Sequence, residues 1–128
     1  MRMTIHNPTA GIYRATSDYV HAIAVEQPSR LLYLSGTMGL DADGAAGKTL
    51  EEQLDLAWSN IRTILSSAGM TVDNIVRVTS YLRDVAYAEK NQNARTEALK
   101  GRVVPTTAIV VETLSKDWLV EIEVVAAA

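Results

Sequence analysis

The chain contains no cysteine and no phenylalanine, has only two histidines, and has no apolar run of membrane-spanning length. Disulfides and thiolate chemistry are therefore excluded, and a zinc site would need more ligands than two histidines on separate segments supply. Twelve Lys and Arg face 15 Asp and Glu, a net charge of -3, so the chain lacks the basic surface that holds phosphate backbones. The start of the chain has no secretory leader pattern. We therefore expect a cytoplasmic protein that binds neither nucleic acid nor membranes.

A length of 128 residues suits one domain, spanning positions 1–128. Alternating apolar and polar positions predict six strands, and apolar steps of three and four predict two helices. The predicted strands are 1–7, 19–25, 31–35, 73–82, 106–111 and 119–125, and the predicted helices are 49–69 and 84–100. We expect the second and third strands to pair as a hairpin. The order indicates an α+β fold, a six-stranded mixed sheet with two helices on one face.

The first helix has the clearest local signals. Thr49 and Glu52 form a capping-box pattern, Leu50, Leu54 and other apolar residues recur at helical spacing, and Gly69 follows the stripe. Such a stripe packs against a sheet. Because both helices are expected on one face, the other sheet face would be bare in a monomer, and we hypothesise that oligomerisation covers it.

The last predicted strand carries two carboxylates, Glu121 and Glu123, at a spacing of two. They point to one face, while Val120, Ile122 and Val124 form an apolar row on the other. Two interpretations stay open on the pattern alone. The carboxylates are either solvated charges on an exposed strand face or the lining of a cleft, where one of them could orient or deprotonate a water molecule.

Several segments in this order resemble the signature of the Rid family, also called YjgF or L-PSP. No single piece is specific, but the ordered set covers nearly the whole chain. The segments are Tyr19, 32–36 (LYLSG), 40–41, 51–69 with its Glu-Glu-Gln start and Ala-Gly end, 76–84 (VRVTSYLRD), Asn93, 104–109 and 119–123 (LVEIE).

The resemblance implies a chorismate-mutase-like fold and a homotrimer with three clefts at subunit interfaces. It also implies hydrolysis of reactive 2-enamine or 2-imine acids to 2-oxo acids and ammonia, a small-molecule activity that needs no metal or cofactor. By the same resemblance, Glu121 would handle the attacking water, and Tyr19, Ser35 and Asn93 would line the cleft.

The sequence departs from the family pattern at the arginine that clamps the substrate carboxylate. Counting back from Glu121 puts Thr106 at that position, and aligning on the preceding proline puts Thr107 there. Neither is a cation, and a threonine hydroxyl cannot reproduce a bidentate charged clamp. Arg14 and Arg102 are alternative cations, although we expect each to be solvated at the surface.

Two functions therefore stay open. The first is an enamine or imine deaminase, a hydrolase whose substrate differs from the usual 2-imino acid. The second is a non-catalytic trimer that binds a small metabolite or a partner protein in the same clefts. His21 is a further cleft candidate, since it follows Tyr19 by two residues. Ribonuclease activity is disfavoured by the acidic balance and the lack of a basic patch.

Overall fold

The computed structural model describes residues 1–128 and contains seven β-strands and two α-helices, which confirms the α+β class. The strands are β1 (Arg2–His6), β2 (Ala22–Glu26), β3 (Leu31–Tyr33), β4 (Thr37–Met38), β5 (Ile75–Leu82), β6 (Thr106–Val110) and β7 (Val120–Ala127); the helices are α1 (Leu50–Ser67) and α2 (Ala88–Ala98). No helix combines the length and the apolar character that a membrane-spanning segment needs.

The main sheet is organised around β7. Its five strands run in the order β3-β7-β5-β6, with the short β4 also paired to β7. All its pairs are antiparallel except β5–β6, which is parallel and is joined by the crossover through α2. β1 and β2 form a separate antiparallel ribbon, so the strands make two sheets rather than the single six-stranded sheet predicted.

The predicted hairpin between residues 19–25 and 31–35 is wrong. β2 pairs with β1, and β3 pairs with β7. The reason lies in the turn between them: the amides of Ser29 and Arg30 donate to the carbonyl of Ala128 at 2.7 and 2.9 Å, and the Ala128 amide donates back to Arg30 at 3.0 Å. These hydrogen bonds to Ala128 hold the segment after β2 beside the end of β7, and β3 therefore pairs with β7.

Helix α1 begins as predicted. The Thr49 hydroxyl accepts from the amide of Glu52 at 3.2 Å, and the Glu52 carboxylate accepts from the amide of Lys48 at 2.8 Å. Gly69, in the left-handed region at φ 70°, follows its end. α2 is shorter than predicted, because the Asp84 carboxylate accepts from the amide of residue 86 and caps a 3-10 turn before the α-helix starts.

The core lies between the helices and one face of the main sheet. Val120, Ile122 and Val124 of β7 are buried there as predicted, against Trp58, Ile61 and other apolar residues of α1. The opposite face, here called the open face, carries no helix. Leu31, Tyr33 and Ile109 on it are 49%, 72% and 44% exposed.

Candidate functional site

Strand register places both carboxylates of β7 on the open face. Glu121 lies opposite Tyr81 of β5, and Glu123 lies opposite Thr79. Both glutamates are half-buried. They line a depression of about 320 Å³, here called the acidic cleft, together with Gly36, Tyr81 and residues 111–114. The structure therefore supports the cleft-lining interpretation over two freely solvated charges.

The carboxylate of Glu121 lies against Gly36. A Cβ at position 36 would be 2.0 Å from Glu121 Oε2 and 2.8 Å from its Cδ, far inside contact distance. Glycine is therefore required for this side-chain position. The Glu121 carboxylate makes no hydrogen bond within the chain, so both oxygens are free to accept from water or from a ligand.

The second carboxylate is occupied. The Tyr81 hydroxyl donates to Glu123 Oε1 at 2.8 Å. This hydrogen bond is the main reason that the pKa of Tyr81 is raised above its ordinary value, with partial desolvation adding to it. The two glutamates therefore differ in their surroundings, since one oxygen of Glu123 accepts from Tyr81 and neither oxygen of Glu121 has a partner within the chain.

Gln53 of α1 fixes the approach to β7. Its side-chain nitrogen donates to the carbonyls of Gly47 and Asp117, both at 2.8 Å, and its oxygen accepts from the amide of Leu119 at 2.8 Å. The side chain is almost fully buried, and its hydrogen bonds tie the loop before α1 to the segment before β7. Sequence reasoning missed this role; the signal was an uncharged polar residue within the apolar stripe of α1.

Arg83 donates hydrogen bonds to the segment that lines one side of the acidic cleft. Its Nη1 donates to the carbonyl and the hydroxyl of Thr113 at 3.1 and 2.8 Å and to the Ser115 carbonyl at 3.2 Å. This guanidinium braces the segment after β6, of which Thr113 is part. It is consequently engaged by the protein's own oxygens.

The two threonines at the family's arginine position lie on opposite sides of the sheet. Thr106 pairs with the buried Val78 and donates its hydroxyl to the Val104 carbonyl at 2.9 Å, so it faces the helix side. Thr107 is exposed on the open face, where its hydroxyl accepts from Arg77 at 3.4 Å. Neither threonine lines the acidic cleft.

The other predicted cleft residues are spread over the chain. Ser35 adjoins Gly36 and is exposed, and its carbonyl accepts from the Thr37 hydroxyl. Tyr19 and His21 lie ring edge to ring face, with centroids 6.0 Å apart. Both precede β2, so the prediction that His21 is a strand residue is wrong. Asn93 is exposed on α2. A single chain brings only Glu121 of the predicted set to the lining of the acidic cleft.

Two arginines are held by groups of the protein, and one of them departs from its predicted surroundings. Arg102 is not a solvated surface residue, because it donates to the carbonyls of Val72 and Ile75 at 2.9 and 3.2 Å. Arg95 on α2, which sequence reasoning passed over, is buried and pairs with Asp18 at 2.7 Å. Desolvation lowers its pKa, and the pairing with Asp18 opposes that shift. This ion pair fixes the loop at Asp18, the residue immediately before Tyr19.

Comparison with known proteins agrees with the fold. Residues 10–128 match the model of the endoribonuclease L-PSP family, and the chain therefore belongs to that family, as the resemblance indicated. The 2-iminobutanoate/2-iminopropanoate deaminase of Capra hircus is 30% identical over 122 residues, covering 92% of this chain and 85% of that protein. A RutC family protein of Saccharolobus solfataricus is 29% identical over 98 residues, covering 75% and 78%.

Solved structures confirm the Rid fold. The Rid family protein YyfB of Yersinia pestis superposes with a TM-score of 0.86 at 24% identity and covers all of both chains. The solved structure of protein YJGH has a TM-score of 0.70 at 32% identity, covering 85% of this chain and 82% of that one.

Proposed function

We propose that this protein hydrolyses a reactive imine or enamine, or a related small metabolite, by adding water in the acidic cleft. The observation that carries the proposal is the Glu121 carboxylate, which is held against Gly36 and has no partner within the chain. Family membership and the relative named as a 2-imino acid deaminase support the same reaction class.

Glu121 acts as the acceptor for the attacking water. A carboxylate that accepts from water raises the electron density on the water oxygen and takes its proton as the bond to the imine carbon forms. Half-burial strengthens this interaction relative to bulk water, and the neighbouring Tyr81–Glu123 hydrogen bond occupies one oxygen of the second carboxylate, whereas neither oxygen of Glu121 is occupied.

We further propose that the protein assembles as a homotrimer through the open face. Leu31, Tyr33 and Ile109 leave an apolar surface there that a second copy of the chain would cover. The acidic cleft opens on the same face, so its small-molecule ligand would bind at a subunit interface. The contributions of Tyr19, Ser35 and Asn93 to that site stay predictions. A sedimentation experiment that returned only monomer at micromolar concentration would contradict the assembly.

The substrate differs from the usual 2-imino acid, because neither threonine at the arginine position supplies a cation. The experiment measures ammonia released above background from 2-aminoacrylate generated in situ. We expect little activity in the wild type and a gain in Thr107→Arg, the substitution on the open face. Thr106→Arg, on the helix side, serves as the matched comparison.

The dependence on Glu121 decides whether the site is catalytic. On any imine that the protein hydrolyses, Glu121→Gln should lower kcat by about 100-fold or more, since it keeps the shape and removes the base. Glu89→Gln, on the exposed side of α2, should leave the rate unchanged. If no imine is hydrolysed by the wild type or by either arginine variant, the hydrolase is wrong and the binding-only trimer takes its place.

A further inference from the structure

We infer that the acidic cleft selects a cationic imine that carries no carboxylate, the class of substrate that oxidation of a simple amine produces. This inference rests on the proposed function, because it names the substrate class of the same site.

Every charged side chain that lines the acidic cleft is negative. Glu112, Glu121 and Glu123 line it, and no lysine, arginine or histidine does. Of the arginines nearby, Arg83 is engaged by oxygens of the loop behind the cleft and Arg77 reaches toward Thr107. Both arginines keep their charge but neither lines the cleft. Within one chain, the charged groups lining the cleft would therefore all repel a ligand carboxylate and all attract a protonated imine.

The hydrogen-bonding groups of the cleft give the same answer independently of charge. The side-chain donors in its lining are already used: the Tyr81 hydroxyl donates to Glu123, and the Thr113 hydroxyl lies at hydrogen-bond distance from the carbonyls of Ser115 and Trp118. The carboxylate of Glu121 offers free acceptors. A protonated imine nitrogen only donates and a carboxylate only accepts, so the side chains of the lining complement the former.

The remaining lining residues favour an apolar substituent on the imine. Val111 and Leu114 border the cleft, and Leu114 is 96% exposed. A ligand that placed its cationic nitrogen among the glutamates and its hydrocarbon body against these two side chains would cover this apolar surface. A depression of about 320 Å³ has room for a small ligand of this type.

The reaction balances without any further reactant. The water oxygen bonds to the imine carbon, the C=N π pair moves to nitrogen, and Glu121 takes one water proton to give a neutral carbinolamine. Glu121 returns that proton to nitrogen, the C–N bond breaks with its electron pair leaving on nitrogen, and the hydroxyl proton passes to the departing ammonia. The sum is R2C=NH2+ plus H2O giving R2C=O plus NH4+.

Binding is tested with an isosteric pair of planar probes of opposite charge, benzamidinium and benzoate, by titration calorimetry. We expect benzamidinium to bind about tenfold or more tightly than benzoate at low salt, with the preference shrinking as salt is added. Glu112→Gln should reduce benzamidinium affinity severalfold, and Glu89→Gln should not. Equal or tighter binding of benzoate would overturn the inference.

Turnover is tested with two imines that differ only by a carboxylate. A flavin-dependent amine oxidase acting on phenethylamine and an amino acid oxidase acting on phenylalanine generate them in situ, and their lifetimes are followed by trapping with semicarbazide. We expect the protein to shorten the lifetime of the phenethylamine imine and to leave the phenylalanine imine unchanged.

The two experiments separate the two proposals. If only the phenylalanine imine is hydrolysed, the charge selection is wrong and the hydrolase stands. If benzamidinium is preferred and neither imine is hydrolysed, the cation site stands and the hydrolase is wrong. If there is no preference and no hydrolysis, both proposals are overturned.

Discussion

Replacing Gly36 by alanine tests whether the position of Glu121 matters for function apart from folding. The added Cβ would lie 2.0 Å from Glu121 Oε2, and the atoms that it meets are all in the end of one flexible side chain. To reach ordinary contact, taken as 3.4 Å, the carboxylate has to move by about 1.4 Å. A rotamer adjustment of that kind costs about 1 kcal/mol, so the fold should persist.

The catalytic cost should be much larger than the cost to stability. Displacement of a reacting group by about 1 Å can lower a rate by about 100-fold, and we expect a loss of that order in the kcat/KM of Gly36→Ala. The assays are imine lifetime by semicarbazide trapping and urea unfolding followed by circular dichroism. The expected signature is nearly normal unfolding together with lost activity.

Gly39→Ala provides the contrast. A Cβ there would lie 2.3 Å from the carbonyl oxygen of Gln53 and 2.4 Å from its Cα, atoms of the α1 backbone that cannot swing away. We expect a loss of about 2 kcal/mol or more in the free energy of unfolding. A Gly36→Ala protein with wild-type stability and wild-type kcat/KM would refute the assignment of Glu121 to the water.

Three further predictions concern groups that hold the site. Gln53→Leu removes three buried hydrogen bonds and should lower the free energy of unfolding by about 3 kcal/mol, whereas Gln92→Leu on the exposed side of α2 should change it by under about 0.5 kcal/mol in the same urea titration. Arg95→Met leaves the carboxylate of Asp18 without its partner and should lower the free energy of unfolding by about 3 to 5 kcal/mol. The double variant that adds Asp18→Asn should recover part of this loss. Equal losses in the single and double variants would contradict the role of the ion pair. Tyr81→Phe should remove, from an alkaline spectrophotometric titration, a phenol whose pKa is raised. Because the pKa of Tyr81 is raised above 10.0 in the folded protein, its stabilising contribution is complete below that pH and is lost as the pH rises through the folded value.

Local patterns were enough for the features that depend on neighbouring residues. The alternation in β7 predicted which side chains face the core, because successive strand residues point to opposite faces whatever the strand pairs with. The Thr49–Glu52 cap was predicted because its partners are three residues apart. The alternation predicted the face on which Glu121 and Glu123 lie, and the family resemblance alone singled out Glu121 as the residue that would handle the water.

The amino-acid sequence by itself determined the α+β class, the buried face of β7, the start of α1 and the missing arginine. Only the tertiary structure decided that β3 pairs with β7, since the carbonyl of Ala128 that captures the turn comes from the far end of the chain. It also decided that the free carboxylate of Glu121 lies against Gly36 in an acidic cleft. Contacts between residues distant in the chain depend on which surfaces meet in three dimensions, and periodicity along one segment carries no information about its partner.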